Sequence, residues 1–347
     1  MPVDTRKERL SRLSLGKLPP RVMEKYLFGM TGARSARIVV EPSLGLDFGV
    51  VKLGGGGKGR YLIVSSDPIT GVRERAGWYA VNVSANDVAT SGRRPEFMQS
   101  VILLPEEATE RDVGGLASEM HKTAQSLGIA IVGGHTELSP GLHRPIVVTT
   151  AFAVADSYVT AAGARMGDTL MMTKTAGVEG TAILGTDARF SKGLDRETVS
   201  GAASHFDRLS VVEEAAAAYE TGVVHAMHDC TEGGVLGALY EMATASGLGL
   251  EVVEKDIPVS KETRRICAAL GVDPLKLISS GTLLIAVKRG EEQVVSEAVA
   301  SVGSRATAIG GFRKGKVVVT RDGAKEEVMG PPSDEIWRLH EQSGETL

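Results

Sequence analysis

Cysteine is almost missing from this sequence. Its 347 residues include only Cys230 and Cys267, too few for a disulfide framework, so a reducing compartment is the default. Positive charge is not in excess either: the net charge is −4 and the pI about 6.0. That argues against a nucleic-acid or anionic-membrane surface as the main function, since both need a basic patch. No stretch of about 18 uncharged apolar residues occurs, so no membrane span is expected. The opening MPVDTRKERLSRLSLGKLPP is basic but has no apolar run, so it does not read as a signal peptide. A cytoplasmic protein is expected. Aromatics are few, at 4%, whereas glycine is abundant, at 42 residues. Glycine at that level, set between strand-like runs, suggests many turns and close backbone approach to a ligand.

The length suits two domains, and 42% hydrophobic with 24% charged residues is ordinary globular composition. Residues 21–28 read as a helix, 36–40 as a strand, and 45–53 with 60–67 as a hairpin joined by the run Gly54–Gly57. The glycine run also resembles a phosphate cradle, but no Lys-Ser/Thr follows at P-loop spacing. Residues 76–91 read as a helix, and Thr109 to Asp112 as a capping box opening an amphipathic helix. IAIV (129–132) reads as a buried strand running into a loop, GGHTELSPG, and PIVVTTAFAVA as another strand. The second half restarts with strand and helix signals after the small-residue stretch 156–168. TLMMTK, VVHAMHD, LGLEVVE, TLLIAVK and ATAIGGF are strand-like; GVEGTAIL, LSVVEEAAAAYE and VLGALYEMATAS are helix-like.

Acidic and polar clusters stand at the edges of these elements. Asp47 enters a strand, Asp67 leaves one, and Asn82, Asn86 and Asp87 lie on the helix. His135, Thr136 and Glu137 follow the IAIV strand. Hard oxygen ligands gathered at strand ends suit Mg²⁺ bridging nucleotide phosphates. Each is weak alone: Asp67-Pro68 is commonly a turn, and an Asn-Asp pair on a helix is commonly a solvated face. In the second half Thr173 and Lys174 lead through Gly177 to Gly180, a helix N-terminus that could meet an anion or simply turn. His225, His228, Asp229 and Cys230 could be read as a zinc set. In a strand, however, the two histidines point to opposite faces. Cys230 reads more simply as a small buried thiol than as a nucleophile.

Taken together, these segments resemble one superfamily. GLDFGVV is similar to its GDDAAV-type entry segment, SSDPITG to its second acidic strand end, and ANDVATSGRRP to its NDxxxxGxxP helix. GGHTELSPGL resembles its GGxTxxxPG loop, TKTAGVEG its LTKxxGxG segment, and HDCTEGGVLGALYEMA its DxTxGGLxxAxxE segment. They occur in the family's order from residue 45 to about 245. The superfamily contains aminoimidazole ribonucleotide synthetase, the hydrogenase maturation protein HypE and thiamine-monophosphate kinase, and the wording GKLPP and NDVATSG looks closest to the HypE-like branch.

The resemblance implies an α/β (α+β) fold of two domains. An N-terminal extension and helix (1–35) would precede an AIR synthase-like N-terminal domain (36–155), whose sheet forms a barrel across a homodimer. A C-terminal α/β sandwich (165–325) and a tail (326–347) would follow. ATP would lie in a cleft, with Mg²⁺ on Asp47, Asp67, Asp87 and Asp229. Asn86, Glu137, Thr173, Lys174, Gly177 and Gly180 would stand near phosphates or substrate, with Asp87, Lys174 and His135 in catalytic roles. The implied reaction activates an oxygen by phosphorylation, on a small-molecule or protein-bound acceptor, in metalloenzyme maturation with a carbamoyltransferase-like partner. HypE carries a terminal Pro-Arg-Ile-Cys, whereas this chain ends Gln-Ser-Gly-Glu-Thr-Leu, so carbamoyl transfer to a tail thiol is not expected. A small-molecule kinase or synthetase, and a non-catalytic nucleotide-binding partner, are the alternatives.

Overall fold

The structure, a computed structural model, describes residue 13 and residues 15–54, 60–70, 72 and 74–343. The expected turn at Gly54–Gly57 lies outside them beyond Gly54. The first half runs α1 (Pro20–Tyr26), β1 (Ile38–Val40), β2 (Gly49–Leu53), β3 (Arg60–Ile69), α2 (Ala76–Ala89), β4 (Phe97–Leu104), α3 (Glu110–Leu127), β5 (Ala130–Leu138) and β6 (Ile146–Ala155). The second opens with β7 (Thr169–Thr173), α4 (Val178–Thr186), α5 (Arg196–Ala203), α6 (Val212–Glu220), β8 (Val224–Cys230) and α7 (Gly234–Ser246). It continues with β9 (Gly249–Val253), α8 (Lys261–Leu270), β10 (Thr282–Val287), α9 (Glu292–Ser301), β11 (Ala306–Arg313), β12 (Val317–Arg321), β13 (Ala324–Glu327) and α10 (Glu335–Ser343).

Each half builds one mixed sheet. The first has six strands in the order β1-β2-β3-β6-β4-β5, the second seven in the order β13-β12-β9-β11-β7-β10-β8. Among the described strands, only β4–β5 and β9–β12 pair in parallel. The fold is therefore the expected two-domain mixture of helices and sheets.

Helix α2 joins the two halves, touching β3, β6 and α3 on one side and α6 and β8 on the other. Most of its positions are buried, which is why its sequence is rich in alanine. Fully buried Val81 and Val88 each contribute about 1.5–3 kcal/mol. Its polar residues are not a solvated face. Ser84 Oγ sits 2.7 Å from Thr149 Oγ1, which donates to the Ala80 carbonyl at 2.6 Å.

Strand β5 departs from expectation. GGHTE is not a loop after a buried strand: the strand continues through it to Leu138, and all its residues are exposed. Gly134 makes the continuation possible, because at its φ of +157° a Cβ would lie 1.9 Å from the Ser100 carbonyl oxygen. The exposure arises because β5 is the sheet edge, pairing with β4 alone.

The C-terminal stretch read as a tail contains α10. Ile336 and Leu339, three apart on one face, bury against Leu184, Phe190 and Ile266.

Candidate functional site

A cleft of about 840 Å³ opens between the two sheets. Strand alternation delivers its first residues: on β3, Ser65 and Asp67 turn inward while Ser66 faces out. Asp47 arrives on the turn before β2. Gly45 allows that turn to lie against α7, where a Cβ would stand 2.2 Å from the Glu241 carbonyl oxygen. Asp87 comes from α2, and His228 and Asp229 from the end of β8.

These groups are tightly connected. Ser65 Oγ lies 2.7 Å from Asp87 Oδ2 and 2.8 Å from the Asp47 carbonyl oxygen. His228 Nδ1 is 2.6 Å from Asp47 Oδ1, and its Nε2 is 3.2 Å from Glu241 Oε2. Lys17 enters from the N-terminal segment, with Nζ 3.1 Å from Thr231 Oγ1 and 3.2 Å from Glu241 Oε1. One oxygen each of Asp67 and Asp229, Oδ2 in both, is buried with no hydrogen-bond partner.

The electrostatics follow from crowding. Burial, then the charges of Asp67, Asp229 and Asp47, push the Asp87 carboxyl well above its ordinary range. Asp229 is pushed up to about 8 by burial and then by Asp47. Asp67 is raised by burial, against its hydrogen bond with Asp87. Burial opposes the charged form of His228, yet Asp47 and Glu241 outweigh it and raise the imidazole to about 10. Burial likewise opposes ionised Glu241, but Lys17 and His228 hold it at about 2.

Acidic groups forced upward, beside buried oxygens with no partner, fit a hard divalent cation better than they fit each other. Asp47, His228 and Asp229 each place a donor atom within 4.8 Å of the others. With His228 engaged by Asp47 and Glu241, the aspartates are the natural oxygen ligands. His225 does not join them: its Nδ1 is 2.9 Å from Asp168 Oδ2, on the other face of β8.

Asp47, Asp67, Asp87 and Asp229, singled out in the sequence, thus come together in one cleft. Other expected residues do not. Lys174 is buried away from the cleft wall, its Nζ held by the carbonyls of Ser210 (2.7 Å) and Gly281 (2.9 Å) and by Glu214 (2.5 Å). An ammonium has three donors, so none is left for a phosphate. Asn86 is fully buried and clamps the two halves: its Nδ2 donates to the Leu209 carbonyl at 2.8 Å and its Oδ1 accepts from Val211 N–H at 2.9 Å. Thr173 Oγ1 accepts from Leu283 N–H at 3.0 Å inside the second sheet. Gly177 supplies a left-handed turn (φ 69°) whose N–H donates to Ser279 Oγ, and Gly180 packs against Leu277. His135 and Glu137 pair with each other at 3.1 Å on exposed β5.

Sequence reading missed Lys17, Glu179, Glu241 and Trp337, all in the cleft wall. Glu241 carried a signal, a lone acid within the apolar run VLGALYEMA. Lys17 lies in the GKLPP segment noted for its resemblance, but no chemical pattern there marked the lysine as a site residue.

The chain is similar to known proteins in both halves. The AIR synthase related protein N-terminal domain matches residues 45–155, and its C-terminal domain residues 165–322. Carbamoyl dehydratase HypE of Escherichia coli (strain K12) is 31% identical over 281 residues, 79% of this chain and 81% of that protein. Several other curated relatives are matched over less of their length, from 58% to 63%. The crystal structure of E. coli HypE superposes with a TM-score of 0.71 at 28% identity, covering 79% of this chain and 87% of that one. A hydrogenase maturation protein HypE solved in complex with ATP has the same fold (TM-score 0.68, 21% identity, 93% and 98% covered). Since both halves match in order over most of its length, the chain belongs to the AIR synthase related protein family.

Proposed function

We propose that this chain is an Mg-ATP-dependent enzyme of the HypE-like kind. It would transfer the γ-phosphoryl group of ATP to an oxygen of an amide or carboxyl-like acceptor, releasing ADP and making that oxygen a leaving group. The observation that carries the reading is the convergence of Asp47, Asp67, Asp87 and Asp229, from separate elements, with buried unpartnered oxygens on Asp67 and Asp229. Those carboxylates would hold Mg²⁺, which supplies neutralisation of the phosphate charge. Lys17 and His228 are the cations nearest this cluster: Lys17 can approach a phosphate, and His228 fixes Asp47 through its 2.6 Å contact. Positioning and charge neutralisation do most of the work in such transfers. E. coli HypE, matched over 81% of its length, is a carbamoyl dehydratase, which supports an acceptor with a carbonyl oxygen.

A homodimer completes the reading. An exposed edge strand carrying Ile131, Val132 and Leu138 is a surface that a second copy could pair with and cover. His135 and Glu137 would then lie at the interface rather than in this chain's own cleft.

The test is ADP formation with Mg²⁺ and a panel of carboxamide, carboxylate and phosphate acceptors. Acceptor-stimulated turnover that disappears in Asp87→Asn supports the reading. No turnover with any acceptor, in protein that binds ATP, would favour a non-catalytic nucleotide-binding role.

A further inference from the structure

The end of the cleft away from the aspartates is also built for a ligand. Glu179, at the start of α4, is 7% exposed, and its Oε2 is buried without a hydrogen-bond partner. Tyr79, on the buried helix α2, is 3% exposed, and its hydroxyl is likewise without a partner. Both line the cleft, as do Ser280, Ile183, Ile278 and Trp337. Two unsatisfied polar groups in the wall of one cleft would each cost stability unless something completes them. Burial, then nearby Asp334, pushes the Glu179 carboxyl up to about 7 against its hydrogen bond with Ser280. Asp334 is itself raised to about 7 by burial, while accepting from Gly233 and Ile336 N–H. Val178, the chain neighbour of Glu179, packs in one buried cluster with Tyr79, which brings the start of α4 to this part of α2.

We propose that this end of the cleft is a binding subsite for a small molecule carrying an amidinium or ammonium group on an apolar body. One N–H donates to Glu179 Oε2 in a charge-assisted bond, and a second donates to the Tyr79 oxygen. The apolar body lies on Ile183, Ile278 and Trp337. Arg75 and Arg189 also border this end, but a cation at the unpartnered Glu179 oxygen meets a carboxylate with Asp334 behind it, while an anion there would meet Glu179 and Asp334 together. The subsite rests on the proposed function only in that its ligand would be the acceptor; binding itself requires neither nucleotide nor Mg²⁺.

The experiment uses three probes with one shape and different charge: benzamidine, benzamide and benzoate. Binding to the full chain is followed by calorimetry and by fluorescence, since the chain has only two tryptophans, Trp78 and Trp337, and Trp337→Phe assigns the signal. Benzamidine should bind, benzamide more weakly and benzoate not at all. Glu179→Gln, which keeps the side-chain shape, should weaken benzamidine roughly 10- to 100-fold, the scale of a hydrogen bond to a charged group. Tyr79→Phe should weaken it a few-fold. Saturating Mg²⁺ should not displace the probe. The proposal is overturned if benzamide binds as tightly as benzamidine. It is equally overturned if benzamidine is retained in Glu179→Gln but lost in Asp67→Asn, which would put the probe among the aspartates. Loss of ATP binding leaves this result intact, so the two readings fail separately.

Discussion

Replacing Glu179 by glutamine should stabilise the ligand-free protein, and more so as pH rises. The folded carboxyl titrates at about 7 against an ordinary 4.5. A raised acid is favoured in its protonated form, so the folded state binds more protons than the unfolded chain between those values. Stability therefore falls as pH rises from about 4.5 to about 7, then levels off. The total is about 3 kcal/mol, from 1.36 kcal/mol per pKa unit. Glutamine avoids that loss and can keep a hydrogen bond to Ser280. Urea unfolding at pH 5 and pH 8.5 measures the effect through the midpoint at constant slope. The variant should exceed the native protein by about 1 kcal/mol at pH 5 and about 3 kcal/mol at pH 8.5. A variant equal to or weaker than the native protein at pH 8.5 would show that Glu179 is satisfied in solution, and the argument from its isolation would fail.

Other outcomes follow from the same geometry. Lys17→Met removes a positive charge beside the aspartates and should tighten Mg²⁺ binding several-fold at low ionic strength; unchanged affinity in titration calorimetry would place the ammonium outside the cation's field. Cys230→Ser and Cys267→Ser should each keep ATP turnover within a few-fold. Both thiols are buried, the first pushed well above its ordinary range by burial and Asp229, the second pushed up to about 12 by burial. A roughly thousandfold loss in a folded Cys230→Ser would restore a covalent thiol step. Sedimentation at micromolar concentration should find a dimer, and an Ile131→Lys, Val132→Glu double variant should shift it to monomer; a native monomer would leave β5 without its proposed cover.

The order of elements was legible because it rests on local pattern. Thr109 caps α3 with Asp112 reaching back to it, as the capping-box spacing indicates. The four aspartates were legible for a related reason: each stands at the end of an element, where hard ligands can gather without breaking a core. Asn86 and Lys174 misled because a polar residue in a recognisable segment looks the same whether it faces ligand or another part of the chain. Only tertiary structure shows that Leu209, Val211, Ser210 and Gly281 consume their hydrogen bonds. Strand β5 was misjudged because an apolar run signals burial, whereas an edge awaiting a partner has the same composition. Lys17 and Trp337 come from opposite ends of the chain, and no local pattern could have brought them together.

The central claim is that the aspartate cluster binds nucleotide only through a divalent cation. Titration calorimetry with a non-hydrolysable ATP analogue, in Mg²⁺ and then in chelator, tests it directly. The account predicts clear binding with Mg²⁺, little without it, and at least a tenfold loss in Asp67→Asn and in Asp87→Asn, on the scale of one charge-assisted contact. Equal affinity with Mg²⁺ and with chelator would contradict it.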